Sequence, residues 1–352
     1  MIKRKKTRSV KIAQLEIGGD SPISVQSMTN TDTRNAEKTI EQIKRLENEG
    51  CELVRVAIPN MESCKNIPII KENIKIPLVA DIHFDYRLAL KSMDYGVDGI
   101  RINPGNIKIK ENIKNIISLA KKKNIAIRFG INSGSLDTDI IKKFEKPNVA
   151  AIIETAENIV KVLKETKFKN AIFSLKSTNI INTIESNEVF SKKYDYPLHL
   201  GVTEAGTEKL GSLRSAIGIG TLLAEGIGDT LRVSLAADPV KEIATAKQIL
   251  QALGLRKDAV RVIACPTCGR SNFDVASIAT ELENRIEGMD KEFTVAVMGC
   301  VVNGPGEARE ADLGIAGAGD GKVMLFKNGN KVGILPIDGI VDKLLKMIMD
   351  DG

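Results

Sequence analysis

Between residues 20 and 255 the chain repeats one pattern: a short run of β-branched and apolar residues, then a longer stretch with apolar positions three and four apart. The short runs predict strands at 23–28, 53–58, 78–83, 99–103, 125–131, 171–176, 198–203 and 230–235. Amphipathic stretches separate most of them; 36–49, with Ile40, Ile43 and Leu46 on one face, is an example. Asp238-Pro239 reads as an N-cap followed by proline at the first helical position, and predicts a last helix over 239–253. Eight such units over this length predict an α/β fold, a parallel (β/α)8 TIM barrel. The stretch 132–148 is long for a loop and predicts an extra helix. Beyond a short linker at 254–257 the pattern changes. Strands are predicted at 260–264, 293–298, 323–326 and 331–335, with helices at 274–286 and 340–349. Lys327-Asn328-Gly329-Asn330 between the last two strands is a hairpin sequence, because Asn-Gly tolerates φ > 0. The chain therefore divides into a barrel, 1–255, and a small α+β domain that begins near Asp258, 258–352.

Side-chain phase then separates the barrel's two faces. In a parallel barrel the outer face packs on helices and is apolar. Val54, Val56 and Ile58 point out, so Arg55 points in. The same rule turns Arg101 and Asn103 inward against Ile100 and Ile102, and Arg128 and Asn132 inward against Ile127, Phe129 and Ile131. Lys176 turns inward against Phe173 and Leu175, and Arg232 and Ser234 against Leu231, Val233 and Leu235. Asp81 and His83 share one face of the third strand; His199, Gly201 and Thr203 share one face of the seventh.

Barrel interiors are ordinarily filled by Val, Ile and Leu. Four arginines and a lysine facing inward, with only Asp81 and nearby Glu204 as evident counter-charges, predict a pocket that is wet or receives an anion. Arginine suits bidentate contact with phosphate oxygens, so a small ligand with two or more phosphate charges is expected at the C-terminal strand ends. Internal salt-bridge layers are the competing reading. His83 beside Asp81 is a candidate binding residue, and His199, deeper, is assigned to packing. Glu204 is a candidate general acid, since a carboxyl in a dry pocket has a raised pKa.

Composition narrows the classes. Trp is absent and aromatic residues are 4%, which argues against a base-stacking nucleic-acid platform. The net charge is +6, and the basic cluster 3–8 is expected to be a solvated tail. The start has no apolar h-region and no run of 18 apolar residues occurs, so neither a secretory signal nor a membrane span is expected and the cytoplasm is.

Five cysteines occur. Cys51 and Cys64 fall in strand and helix settings and are assigned structural roles. Cys265-Pro266-Thr267-Cys268 lies between a strand and a helix, and Cys300 follows the next strand in a run ending Gly304-Pro305-Gly306-Glu307. A C-x-x-C pair alone serves zinc, redox or cluster chemistry. No fourth cysteine lies near and no histidine follows His199, whereas structural zinc takes four such ligands. Three thiolates with a fourth, harder ligand suit a [4Fe–4S] cluster with one distinctive iron, and Glu307 is the nearest candidate. Two other functions stay open: a zinc-dependent phosphosugar lyase or isomerase, and a non-catalytic iron–sulfur carrier.

Several strings carry a resemblance: Val25-Gln26-Ser27-Met28-Thr29-Asn30-Thr31-Asp32-Thr33, Ala80-Asp81-Ile82-His83-Phe84, Arg101-Ile102-Asn103-Pro104-Gly105-Asn106, His199-Leu200-Gly201-Val202-Thr203-Glu204-Ala205-Gly206, Cys265-Pro266-Thr267-Cys268-Gly269-Arg270, and the run from Cys300 to Glu307. Over nearly the whole chain the sequence resembles the 4-hydroxy-3-methylbut-2-enyl diphosphate synthase family of the non-mevalonate isoprenoid route. The resemblance implies a TIM barrel with a C-terminal [4Fe–4S] domain, in the two-domain bacterial form. It implies reductive opening and dehydroxylation of 2-C-methyl-D-erythritol 2,4-cyclodiphosphate. It also implies a head-to-tail homodimer and an acidic electron donor, flavodoxin or ferredoxin. By motif, Cys265, Cys268, Cys300 and Glu307 would hold the cluster. Arg55, His83, Arg101, Arg128 and Lys176 would clamp the diphosphate. Asp81, Asn103 and Ser234 would line the pocket, and Glu204 would donate a proton.

Overall fold

A computed structural model describes residues 2–107, 110–257, 259–286, 288–289 and 291–351. The chain forms two compact units, Met1–Leu255 and Arg256–Gly352. The expected boundary residue Asp258 lies outside the described residues.

In the first unit eight parallel strands form one ring: β3 Ser24–Met28, β4 Leu53–Ala57, β5 Leu78–Ile82, β6 Gly99–Ile102, β7 Ala126–Asn132, β8 Ala171–Lys176, β9 His199–Leu200 and β10 Thr230–Leu231. Their order is β8-β7-β6-β5-β4-β3-β10-β9. A parallel bridge between Phe173 and Leu198 joins the two ends of that order. The expected architecture is the observed one. Two strands are shorter than the expected 198–203 and 230–235, ending at Leu200 and Leu231. The anticipated extra helix lies at Thr138–Phe144. Side-chain oxygens of Asn35, Asn60, Asp85, Asn148, Asn179 and Asp238 accept from backbone amides in the first turns of their helices.

The apolar outer face packs on the helices as the phase rule requires. Val54, Val56, Ile100, Ile102, Ile127, Phe129, Phe173 and Leu231 are all buried in one cluster with helix residues. Phe173 sits at its aromatic centre, with ring centroids 5.7 Å from Phe129, 4.7 Å from Phe190 and 5.1 Å from Tyr196.

The sequence pattern did not predict a hairpin of β1 Val10–Ile12 and β2 Leu15–Ile17. Its Val10, Ile12 and Ile17 pack against Leu53, Val79, Ala126 and Ile172, inward residues at the N-terminal ends of the barrel strands. The hairpin thus forms an apolar floor. The basic segment before it is not a solvated tail. Arg4 donates to the buried Asp229 at 3.2 Å, Lys5 to Tyr194 O at 3.0 Å, and the Arg8 guanidinium stacks 3.7 Å over Tyr196. A buried carboxylate and an aromatic face order these cations.

In the second unit β11 Val260–Ala264, β12 Phe293–Met298 and β13 Leu313–Gly319 run parallel, and β14 Lys322–Lys327 and β15 Asn330–Pro336 add antiparallel strands. Helices Val275–Ile286 and Ile340–Asp350 bury Leu282, Leu344 and Ile348 against this sheet. The predicted turn is present, with Asn328 and Gly329 both at positive φ. No helix among the described residues is long and apolar enough to cross a membrane.

Phe173→Ala should remove the ring at the centre of that aromatic group and destabilise the barrel by about 3–5 kcal/mol, the usual cost of such a truncation. Chemical denaturation followed by far-UV circular dichroism measures it.

Candidate active site

The inward face of the barrel is layered. Above the hairpin floor, Asp81, Arg101 and Arg128 are register neighbours on β5, β6 and β7. Arg55 reaches the same layer from β4. Arg101 donates from Nη1 to Asp81 Oδ1 at 3.0 Å and to His83 Nε2 at 2.9 Å. Arg55 Nε lies 3.6 Å from Asp81 Oδ2 and donates to Met28 Sδ at 3.2 Å. Asp81 is therefore shared by two guanidiniums and approached by His83, whose Nδ1 lies 2.9 Å from the Asn106 amide. Burial alone would raise the Asp81 carboxyl. Arg55, the His83 hydrogen bond and Arg101 overcome it and hold the group far below the ordinary carboxylate range.

Inward glycines make room for the long cations. A Cβ at Gly130 would collide with the Arg101 guanidinium, and one at Gly201 with Lys176 Nζ. Arg128 crosses the lumen to β3, which stands opposite β7 in the ring, and donates from Nη1 to Gln26 Oε1. Lys176 has no hydrogen bond or ion pair among the described residues. Burial, then the nearby guanidiniums of Arg128 and Arg55, push it well below the ordinary lysine range. Burial and Arg55 likewise depress Arg128, and burial brings Arg55 down to about 10. His199 is buried beneath these cations and pushed well below the usual imidazole range, first by burial and then by Arg128 and Lys176. It is held neutral, in a packing role.

Two expectations need correction. The lumen has a counter-charge that strand-by-strand reading missed. Glu242, in helix Pro239–Ala252, accepts from Arg232 Nε at 3.1 Å and Nη2 at 2.9 Å, Ser27 Oγ at 3.0 Å and Leu235 N at 3.0 Å. Arg232 is thereby engaged as a fork. Glu204 is exposed, at φ +52°, rather than enclosed in a dry pocket. Its left-handed backbone is a strained conformation of the kind held at functional positions.

Of the other residues singled out, Asn103 is buried and donates to Ser135 Oγ at 2.5 Å, while its own oxygen caps Gly105 N. Ser234 is half-buried just past β10. Gln26, Met28, Asn106, Ser135 and Glu242 had no role in the sequence reading. For Gln26 and Met28 the signal was present, because Ile23 and Val25 face the helices and so put both residues inward.

The cysteines separate as their settings suggest. Cys51 and Cys64 are buried; burial pushes the Cys51 thiol up to about 12 and raises Cys64. Cys265 immediately follows β11, accepts from Gly299 N at 3.2 Å and is half-buried; Cys268 is exposed. Cys300 follows β12, the parallel neighbour of β11. Backbone amides of Val302 and Asn303, with Arg270, lower its thiol below the ordinary range, which favours the ligating thiolate. Glu307 is exposed on helix Gly304–Glu310. Three thiols and a carboxylate around two adjacent strand ends are a suitable donor set for a cluster. Among the described residues, however, no three His, Cys, Asp or Glu side chains are gathered as a metal site.

Two family models match the chain: the GcpE TIM-barrel domain at residues 7–247 and the GcpE protein C-terminal domain at 261–350. A protein of Caldanaerobacter subterraneus named 4-hydroxy-3-methylbut-2-en-1-yl diphosphate synthase (flavodoxin) is 55% identical over 99% of this chain and 98% of its own length. One of the same name from Clostridium acetobutylicum is 52% identical over 99% of both. Among solved structures, a Yersinia pestis dihydropteroate synthase matches 70% of this chain and 99% of its own at 13% identity and TM-score 0.50. That likeness shows the barrel alone.

Asp81→Asn should leave Arg55 and Arg101 without their carboxylate and destabilise the barrel by roughly 3–5 kcal/mol near neutral pH. Asp81 is depressed in the folded state, so its contribution is present above the unfolded value of about 4 and is lost as pH falls through the folded value. Denaturant midpoints of the two proteins, measured against pH, should therefore converge in acid.

Proposed function

This chain belongs to the GcpE family, and we propose that the cations of its barrel lumen hold the two phosphates of 2-C-methyl-D-erythritol 2,4-cyclodiphosphate. It is an oxidoreductase that opens that ring and removes a hydroxyl, giving 4-hydroxy-3-methylbut-2-enyl diphosphate. The observation that supports the lumen as the site is its charge. Among the described residues, Arg55, Arg101, Arg128, Arg232 and Lys176 meet only the carboxylates of Asp81 and Glu242. A buried excess of positive charge is costly unless an anion compensates it, and Lys176 and Arg232 stand at the C-terminal strand ends where barrel enzymes bind substrate.

In this reading Arg55, His83, Arg101, Arg128 and Lys176 bind the diphosphate. Asp81 fixes two of the guanidiniums, and Asn103 and Ser234 line the carbon skeleton. Glu204 supplies the proton with which the departing hydroxyl leaves as water. Cys265, Cys268, Cys300 and Glu307 would hold a [4Fe–4S] cluster. When bound, the cluster supplies the two electrons of the reduction, one at a time. Flavodoxin, named in the relatives, is the proposed donor in preference to ferredoxin. The family resemblance supports a head-to-tail homodimer in the cytoplasm.

Cys265→Ser should abolish both the brown chromophore of protein purified without oxygen and its turnover, while the far-UV spectrum stays that of the wild type. An active, colourless variant would end the cluster assignment.

Phosphate binding should also move protons. Lys176 is depressed in the empty lumen and rises beside an anion. Its contribution to affinity is full below the empty-state value and is lost as pH rises through the bound-state value. Calorimetry over a series of pH values up to the ordinary lysine range, in buffers of different ionisation enthalpy, should therefore read net proton uptake on binding within that series.

A further inference from the structure

The cations of the lumen are not braced alike. Arg55 and Arg101 share Asp81, and Arg232 is forked onto Glu242. Arg128 instead reaches across the barrel to a neutral amide, Gln26 Oε1. Both ends of that contact are deeply buried, Arg128 at 6% exposure and Gln26 at 2%. The amide fixes the guanidinium in place yet leaves its charge uncompensated. Two further donors at the same contact, Arg128 Nη2 and Gln26 Nε2, are buried without a hydrogen-bond partner among the described residues. Buried donors without acceptors are costly and mark a position awaiting one. The neighbouring strands offer no relief, since Arg101, a cation itself, is the register partner of Arg128.

We propose that Gln26 is a positioning residue for the reaction: it holds the Arg128 guanidinium across the lumen without neutralising it, and so reserves that charge, with two spare N–H donors, for the phosphoryl oxygens of the substrate. A glutamate, of nearly the same shape, would brace the arginine more firmly and consume its charge. The glutamine is therefore a choice of anion affinity over stability of the empty barrel. This inference rests on the lumen taking a diphosphate.

The test uses the full-length protein purified without oxygen. Its thermal midpoint is read without ligand, and it is titrated calorimetrically with the cyclic diphosphate and with inorganic pyrophosphate. Gln26→Glu should melt a few degrees above wild type, because a carboxylate now compensates a buried cation. It should bind both ligands roughly ten- to a hundredfold more weakly, the scale of one lost charge-assisted contact. Gln26→Met, which removes the brace and adds no charge, should weaken binding less and give no gain in midpoint. A glutamine that serves packing alone would show the opposite for Gln26→Glu: a lowered midpoint and unchanged affinity. A Gln26→Glu protein that does not fold, or that binds as wild type does, overturns the role of Gln26 and leaves the diphosphate reading standing. A wild-type protein that binds neither ligand overturns both.

Discussion

Positive charge held out of water, in excess of its counter-charge, is the constraint to which the barrel is built. Two unit charges 4 Å apart interact by about 4 kcal/mol at the effective dielectric near a protein surface. One shared carboxylate cannot balance Arg55 and Arg101 and also answer Arg128 and Lys176. The surroundings are organised around that imbalance. Gly130 and Gly201 give up side chains so that Arg101 and Lys176 can lie along the wall. Glu242 reaches in from helix Pro239–Ala252 to tie Arg232, and the same carboxylate bonds Ser27, so the first and last strands of the ring are pinned at one point. His199 stays neutral beneath the group and adds no further charge.

The alternation of apolar and polar residues carried most of this arrangement in plain view. Outward Val, Ile and Phe on β4, β6 and β7 assigned the intervening arginines to the lumen, because a parallel barrel admits no other phase. The alternation says nothing about which helix residue turns inward. Glu242 was therefore invisible, and Arg232 looked free. Three-residue strands are too short for alternation to register, so the floor hairpin went unread. Strand β13 escaped for a different reason. Its Gly314 and Gly317 are poor strand formers, but a Cβ at the first would meet Ala308 and at the second the backbone of Gly299. Close packing, rather than propensity, decided those residues.

The two halves of the chemistry are prepared to different degrees. In the barrel, the cations proposed to bind the anion are held by hydrogen bonds and by space left for them, so little would be left for a ligand to organise. In the smaller unit, Cys268 and Glu307 are exposed and the thiols are not drawn together. What is in place there is local: the amides of Val302 and Asn303, which favour a thiolate at Cys300, and the Gly299 amide, which bonds Cys265. Ligation itself would supply the remaining order, as it does in small domains whose metal binding is coupled to folding.

The apolar hairpin across the N-terminal strand ends makes the lumen a blind well. Ile12 and Ile17 press against its base, and the strands are hydrogen-bonded all round. Whatever enters must leave by the same opening, so arriving molecule, departing molecule and displaced water use a single doorway in turn. If the lumen is the binding site proposed above, traffic through that doorway, and not a through-flow, would set how soon the well is refilled.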